Sequence, residues 1–188
     1  MINTFFNAMV SAIKKEELEL NQLFKKNSEL YQNHHHGVCI LYETTFVYLI
    51  FKELLKHEYP FKIYWEFPYP DNKKEHYPDN KKEHCDIGLI RNNGDVEALI
   101  EFKIWTENHD RKIKADILKL QKVTGCKKYI VILGYGGDIH ENHDYLMTEN
   151  PSLHLIGMDG LTTNFFKVKE DRLEANELNV FMYEIKEI

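Results

Sequence analysis

Two strand-like segments joined by a tight turn constrain the fold of this 188-residue chain more than any other feature. Residues 85–91 (CDIGLIR) and 96–105 (VEALIEFKIW) are mostly apolar, and the sequence Asn92–Asn93–Gly94–Asp95 separates them. Asn-Gly between two apolar runs is a strong signal for a β-hairpin, because both residues accept the positive φ angles of a type I′ turn. We therefore predict an antiparallel pair of strands with a two-residue turn at Asn93–Gly94.

The register of this hairpin places charged side chains together on one face. A two-residue turn pairs position 92 with position 95 and, further along the ladder, Asp86 with Glu101. Directly opposite residues have Cβ atoms roughly 4.5–5.5 Å apart, and Lys103, two residues beyond Glu101, shares their face. The other face is predicted to belong to the core and contains Cys85, Ile87, Leu89, Ala98, Ile100, Phe102 and Ile104.

Two carboxylates held side by side repel each other unless they share a proton or a cation. A divalent metal such as Mg²⁺, with Mn²⁺ as a substitute, suits this pair because hard cations prefer oxygen ligands. Such a metal would polarise a phosphate and lower the pKa of a bound water. Lys103 would orient that water or stabilise negative charge on the phosphate. The structural alternative is an exposed ion pair of Lys103 on a solvated sheet face.

The remaining segments predict one α/β domain, over residues 1–188, with a mixed central sheet. Apolar residues at helical spacing favour helices, and a continuous apolar run such as 128–133 is typical of a strand buried on both faces. The predicted helices cover residues 3–31, about 38–56, about 109–124 and a short stretch near 141–148. The other predicted strands cover residues 62–67, 128–133, 153–157 and 179–185.

An exact tandem duplication interrupts this pattern. The sequence YPDNKKEH occupies residues 69–76 and again residues 77–84. One eight-residue unit is too short for a repeat architecture, and it is charged and contains proline. We interpret residues 69–84 as an elongated loop or an exposed hairpin tip that carries no chemistry.

The spacing of the charged residues resembles a known family. Asp86, followed by Glu101–Phe102–Lys103, is similar to the D…(D/E)XK signature of the PD-(D/E)XK nuclease superfamily, which includes restriction endonucleases and repair nucleases. The similarity covers about residues 38–133. Cys85 stands where the family often has proline, and the literal Pro-Asp pairs, Pro70–Asp71 and Pro78–Asp79, are the alternative position for the aspartate.

The resemblance implies a restriction-endonuclease-like core and a metal-dependent nuclease. Asp86, Glu101 and the backbone carbonyl of Phe102 would bind Mg²⁺. Many members have a glutamate on the preceding helix. Glu43 fits that position, because an unpaired charge inside an apolar helix is costly, and it would assist through a metal-bound water.

Other polar residues are candidates for the substrate pocket. In many family members the helix after the triplet supplies a further polar residue, and Asp116 and Lys119 lie one helical turn apart there. His84 is predicted on the Asp86 face, and His36 lies near the entrance to the second helix. Several basic residues are candidates for phosphate contacts, or for an ordinary solvated helix face: Arg111, Lys112, Lys114, Lys122, Lys127 and Lys128.

Composition limits the classes of partner. The formal net charge of −6 argues against bulk electrostatic binding to nucleic acid, so a local site must bind the substrate, with DNA preferred to RNA. No run of 18 apolar residues and no signal peptide are evident, and three cysteines without a CxxC pair favour reduced thiols. We expect a cytoplasmic protein that does not enter membranes, and a homodimer in which the N-terminal helix is the interface.

A catalytically inactive relative is the alternative function. Such a protein would bind nucleic acid or a protein partner through the same fold, for example in a defence or toxin system. Catalytically dead members usually lack a carboxylate or the lysine, and this sequence retains all three residues. The sequence therefore favours the enzyme.

Overall fold

The computed structural model describes residues 2–26, 37–70, 83–105, 110–135, 139–167 and 172–187. Its helices are α1 (Ile2–Lys26), α2 (Glu43–Leu54), α3 (Asp110–Gln121) and α4 (Ile139–Glu149), with a 3₁₀ turn at Gly37–Ile40 before α2. Its strands are β1 (Phe61–Pro68), β2 (His84–Arg91), β3 (Val96–Trp105), β4 (Lys127–Tyr135), β5 (Leu153–Lys167) and β6 (Arg172–Ile185). The predicted α/β class with a mixed central sheet is confirmed.

All six strands belong to one sheet in the order β1-β2-β3-β4-β6-β5. The pair β3 and β4 is parallel, with α3 in the connection between them, and the other neighbouring pairs are antiparallel. β4 lies between β3 and β6 and is buried along almost its whole length, as the continuous apolar run predicted. The end of β3 therefore lies inside the sheet and not at its edge.

The register of the β2–β3 hairpin is confirmed over its central part, although the turn differs from the prediction. Ile87 pairs with Ile100 and Leu89 with Ala98, as expected from the sequence. At the turn, however, Arg91 pairs with Asp95, and the loop has three residues instead of two. A bulge between Leu89 and Ile90 shifts the register by one residue and compensates for the longer loop.

Apolar cores cover both faces of the sheet. The first core contains residues of α1 and α2 packed on side chains such as Ile87, Ile100 and Phe102. The second core contains residues of α3 and α4 packed on Leu99, Ile130 and Ile132. The face that contains Glu101 is therefore not solvated, which contradicts the alternative of an exposed ion pair. Cys85 was predicted in the first core but is buried in the second.

The start of α2 also differs from the prediction. The single helix expected over residues 38–56 is divided into the 3₁₀ turn and α2, which begins at Glu43. The side chain of Glu17 in α1 accepts a hydrogen bond from the backbone N–H of Val38 at 2.7 Å, so α1 fixes the 3₁₀ turn. Gly37 has a φ of +74°, a conformation that favours glycine. Together with the Glu17–Val38 hydrogen bond, it orients the chain that leads into α2.

The N-terminal helix packs on the far end of the sheet. Its apolar residues Phe6, Met9 and Ile13 recur at helical spacing and are buried, and the ring of Phe6 occupies the space that a side chain at Gly157 of β5 would fill. Among the described residues, no helix is long and apolar enough to span a membrane.

Candidate active site

Asp86 and Glu101 lie in direct contact, as the hairpin register predicted. The negative charge of Asp86 acts directly on Glu101, and Oδ2 of Asp86 accepts a hydrogen bond from the backbone N–H of Phe102 at 2.7 Å. Glu101 is 5% exposed. Two carboxyl groups this close repel each other unless they share a proton or bind a cation between them.

Burial controls the ionisation of this pair. Loss of solvent, together with the negative charge of Asp86, raises the pKa of Glu101 to about 9. Burial also raises the pKa of Asp86, although the hydrogen bond from the Phe102 N–H opposes that shift. The pair therefore holds a proton at neutral pH when no cation is bound.

Lys103 connects this pair to two other elements. Its Nζ lies 2.9 Å from Oε1 of Glu43 and 3.3 Å from Oδ2 of Asp116, and it donates to the Phe102 carbonyl at 2.8 Å. Burial alone would lower the pKa of Lys103, but the hydrogen bond to Glu43 and the nearby carboxylates raise it above its usual value. Lys103 is therefore a fixed cation that joins β3 to α2 and α3.

Glu43 and Asp116 thus lie in the site, as predicted, although Glu43 is not inside its helix. It is the first residue of α2, and its Oε2 accepts from the backbone N–H of Ile104 at 3.3 Å. Asp116, 8% exposed, also binds Nζ of Lys119 at 3.0 Å. The structure therefore brings both candidates on α3 into the cluster.

Two residues of the cluster were not predicted from the sequence, and both lie at or near the ends of the duplicated segment. The hydroxyl group of Tyr69, in the first copy, donates a hydrogen bond to Oε1 of Glu101. Glu83, in the second copy, lies 3.8 Å from Nζ of Lys119. The backbone N–H of Tyr69 donates to the carbonyl of Glu83 at 3.3 Å, so the β1–β2 ladder extends into the duplication. The segment thus connects two antiparallel strands, as the interpretation as a hairpin tip requires, and its described residues Tyr69 and Glu83 contact the cluster.

The remaining candidates lie elsewhere or outside the described residues. His84 is exposed and pairs with Pro68 at the start of β2, so its contribution stays a prediction. His36, Asp71 and Asp79 lie outside the described residues. Lys128 is buried and donates to the carbonyl of Val123 at 3.0 Å, which contradicts its proposed contact with phosphate.

The cluster contains more negative than positive groups. Within the described part of the chain it includes five carboxyl groups, those of Glu43, Glu83, Asp86, Glu101 and Asp116, and two lysines, Lys103 and Lys119. In the described part of the chain, no group of three or more His, Cys, Asp or Glu side chains is arranged to hold a metal ion. A cation here would have two side-chain ligands, Asp86 and Glu101, with backbone oxygen or water as further ligands. Two hard oxygen donors and excess negative charge fit Mg²⁺ or Mn²⁺.

Comparison with known proteins gives no match for this chain, whether with family models, curated proteins or solved structures. The resemblance to the PD-(D/E)XK superfamily therefore stays a prediction that depends on the residues named above.

Proposed function

We propose that this protein is a metal-dependent nuclease of the PD-(D/E)XK type that hydrolyses phosphodiester bonds, with DNA preferred to RNA as the substrate. The carboxyl pair of half-buried Asp86 and buried Glu101 carries this proposal. Two acidic groups held together with little access to solvent cost free energy, and a bound divalent cation would remove that cost. Lys103 beside the pair supplies the positive charge that a transferred phosphate requires.

Asp86, Glu101 and the Phe102 carbonyl are the groups that would hold the cation. When bound, Mg²⁺ would polarise the phosphate and lower the pKa of a coordinated water. The chain itself supplies orientation: the N–H of Phe102 fixes the carboxylate of Asp86, and the sheet fixes Glu101 beside it.

The role of Lys103 follows from its surroundings. Glu43 and Asp116 raise the pKa of its ammonium group, so Lys103 stays protonated at neutral pH. A protonated lysine cannot accept a proton from water. Lys103 therefore does not act as a general base, and its charge is compatible with both roles that the sequence suggested, orientation of the water and stabilisation of negative charge on the phosphate.

Incubation of the purified protein with linear, circular and single-stranded DNA and with RNA, with Mg²⁺ or EDTA, tests the proposal. We expect cleavage of DNA only with Mg²⁺, and loss of cleavage in the isosteric variants Asp86→Asn and Glu101→Gln. Glu97→Gln is the matched control: Glu97 is a buried glutamate on the same strand, but it pairs with Arg91 and not with the cluster. Cleavage that survives in both Asp86→Asn and Glu101→Gln contradicts the proposal.

A further inference from the structure

We propose that Tyr69 is a positioning residue of this site, which orients Glu101 for the cation. The left-handed backbone conformation of Glu66 turns the strand so that the Tyr69 side chain reaches Glu101. This inference depends on the proposed function. The hydroxyl of Tyr69 donates to Oε1 of Glu101, and Tyr69 is 7% exposed. A hydrogen bond from a buried hydroxyl group to a carboxyl group restricts the rotation of that group, and such partners fix the direction in which ligands face a metal.

A regular β1 would not bring Tyr69 to Glu101. Alternate residues of a strand share one face, so Phe61, Ile63, Phe67 and Tyr69 would all point to the same side. Phe61 and Ile63 do contribute to the first core, but Phe67 and Tyr69 contribute to the second. The strand therefore changes face between Ile63 and Phe67.

Glu66 is the residue at which this change occurs. Its φ is +49°, and it is the non-glycine residue with a positive φ among the described residues. Side chains with a Cβ atom rarely adopt this conformation, and it costs of the order of 1 kcal/mol or more. Strain of this kind persists only where the surrounding structure imposes it.

The neighbouring strand changes face at the same level. The ladder pairs Trp65 with Ile87 and Phe67 with Cys85, which places Glu66 opposite Asp86. Ile87 contributes to the first core and Cys85 to the second. The side chains of β1 and β2 thus change from the first core to the second at the same level of the sheet, next to Asp86.

Gly88 permits the new position of Phe67. A Cβ atom at Gly88 would lie 2.5–2.9 Å from three atoms of the Phe67 side chain, so only glycine leaves room for the ring after the strand has changed face. Phe67 then packs against the second core, and two residues later Tyr69 reaches Glu101. Glu66, Gly88 and Tyr69 therefore act together to place the Tyr69 hydroxyl group at Glu101.

Titration of the full-length protein with Mn²⁺ by calorimetry tests this inference. Partners that orient metal ligands typically contribute roughly ten- to hundredfold in affinity, and we expect a loss of that size in Tyr69→Phe. Tyr183→Phe is the matched control, because Tyr183 is also buried and its hydroxyl group lies 2.7 Å from Nδ1 of His143, in the region of α4. It should lose similar stability and keep the wild-type affinity.

Two Glu66 variants test independently whether the backbone conformation of Glu66 places Tyr69 at Glu101. Glu66→Gly accepts the positive φ and should keep the wild-type affinity, whereas β-branched Glu66→Val disfavours it and should lose affinity as Tyr69→Phe does. An affinity of Tyr69→Phe within twofold of the wild type overturns the inference, and so does equal binding by the two Glu66 variants. If Glu101→Gln binds Mn²⁺ like the wild type, or the wild type binds none, the proposed function fails as well.

Discussion

Lys103 is the residue whose charge joins the acidic groups of the site, and its removal should affect stability as well as activity. Its Nζ contacts Glu43 and Asp116, and its side chain is 14% exposed. Removal of one partner from a buried ion pair typically costs roughly 3–5 kcal/mol, because the other charges stay buried without compensation. We expect Lys103→Met to lose about this much in urea denaturation and to abolish DNA cleavage.

The matched control for Lys103 is Lys127→Met on the neighbouring strand. Nζ of Lys127 lies 3.8 Å from Glu97, and its side chain is 52% exposed. Exposed pairs contribute about 0–1 kcal/mol, so this variant should keep the stability of the wild type. Equal stability of the two variants would mean that Lys103 does not compensate the carboxylates.

Glu101 should make the stability of the metal-free protein depend on pH. Its pKa is about 9 in the folded protein and roughly 4.3 in an unfolded chain. The folded state therefore holds a proton that the unfolded state has released between these values, so stability falls as pH rises across this window. The slope for one such group is at most roughly 1.4 kcal/mol per pH unit.

Urea denaturation in EDTA from pH 5 to pH 9 measures this dependence. Glu101→Gln should flatten the slope, because its amide binds no proton. Leu99→Val, which removes one methylene group from the second core on the same strand without a change in charge, should keep the wild-type slope at a lower stability. A slope that is unchanged in Glu101→Gln would assign the proton to another group.

The duplicated segment should tolerate the loss of one copy. Tyr69 and Glu83, its described residues near the two ends, contact the site, and a backbone hydrogen bond joins them. Removal of eight residues leaves one YPDNKKEH unit, which retains a tyrosine and a glutamate at the corresponding positions. The segment between these two residues shortens from residues 70–82 to five residues, which lowers the entropic cost of closing it by roughly 0.8 kcal/mol.

We therefore expect the shortened protein to cleave DNA at the wild-type rate and to unfold at slightly higher urea concentration. Tyr69→Phe in the shortened chain is the control, since it should lose Mn²⁺ affinity as it does in the full chain. A shortened protein that folds but does not bind Mn²⁺ would show that the second copy has a role of its own.

The spacing of apolar residues and the turn sequence predicted the helices and strands well. The errors concern details of the backbone that no short stretch of sequence indicates. The apolar runs and the Asn93–Gly94 pair located β2 and β3, and the register placed Asp86 beside Glu101. The compensation between a three-residue loop and a bulge was not predictable, because Asn93–Gly94 alone favours a two-residue turn and a regular ladder. The strained φ of Glu66 has no local signal either, since glutamate normally avoids that conformation.

At the scale of the whole molecule, two cores enclose the site between the sheet and its helices. β3 lies at the centre, with α2 reaching Lys103 from the side of the first core and α3 from the side of the second. The helices on both sides therefore hold one cluster of charges. The N-terminal helix buries its apolar residues against α2 and β5. The proposed homodimer through that helix stays a prediction, for which Leu18 and Leu23 are the exposed apolar residues.

The overall charge of the molecule leads to a final prediction about DNA binding. The chain has a formal net charge of −6, and the cluster contains more carboxyl groups than lysines where the phosphate would lie, so the free protein repels DNA at short range. A divalent cation in the site would reduce this local negative charge and provide a ligand for the phosphate. We expect weak binding of a labelled oligonucleotide in EDTA at 150 mM salt (Kd above roughly 100 µM), and binding at least tenfold tighter with Ca²⁺.

Fluorescence anisotropy with wild type and Glu101→Gln separates the nuclease from the inactive binding protein. In a nuclease of the proposed type, the cation should increase affinity in the wild type only, because the variant lacks one carboxylate ligand. An inactive relative would bind through exposed basic residues such as Arg111 and Lys112, so its affinity would fall with salt and would not depend on the cation. Equal affinity in EDTA and Ca²⁺ would therefore favour the inactive binding protein, since the acidic cluster would then take no part in holding nucleic acid.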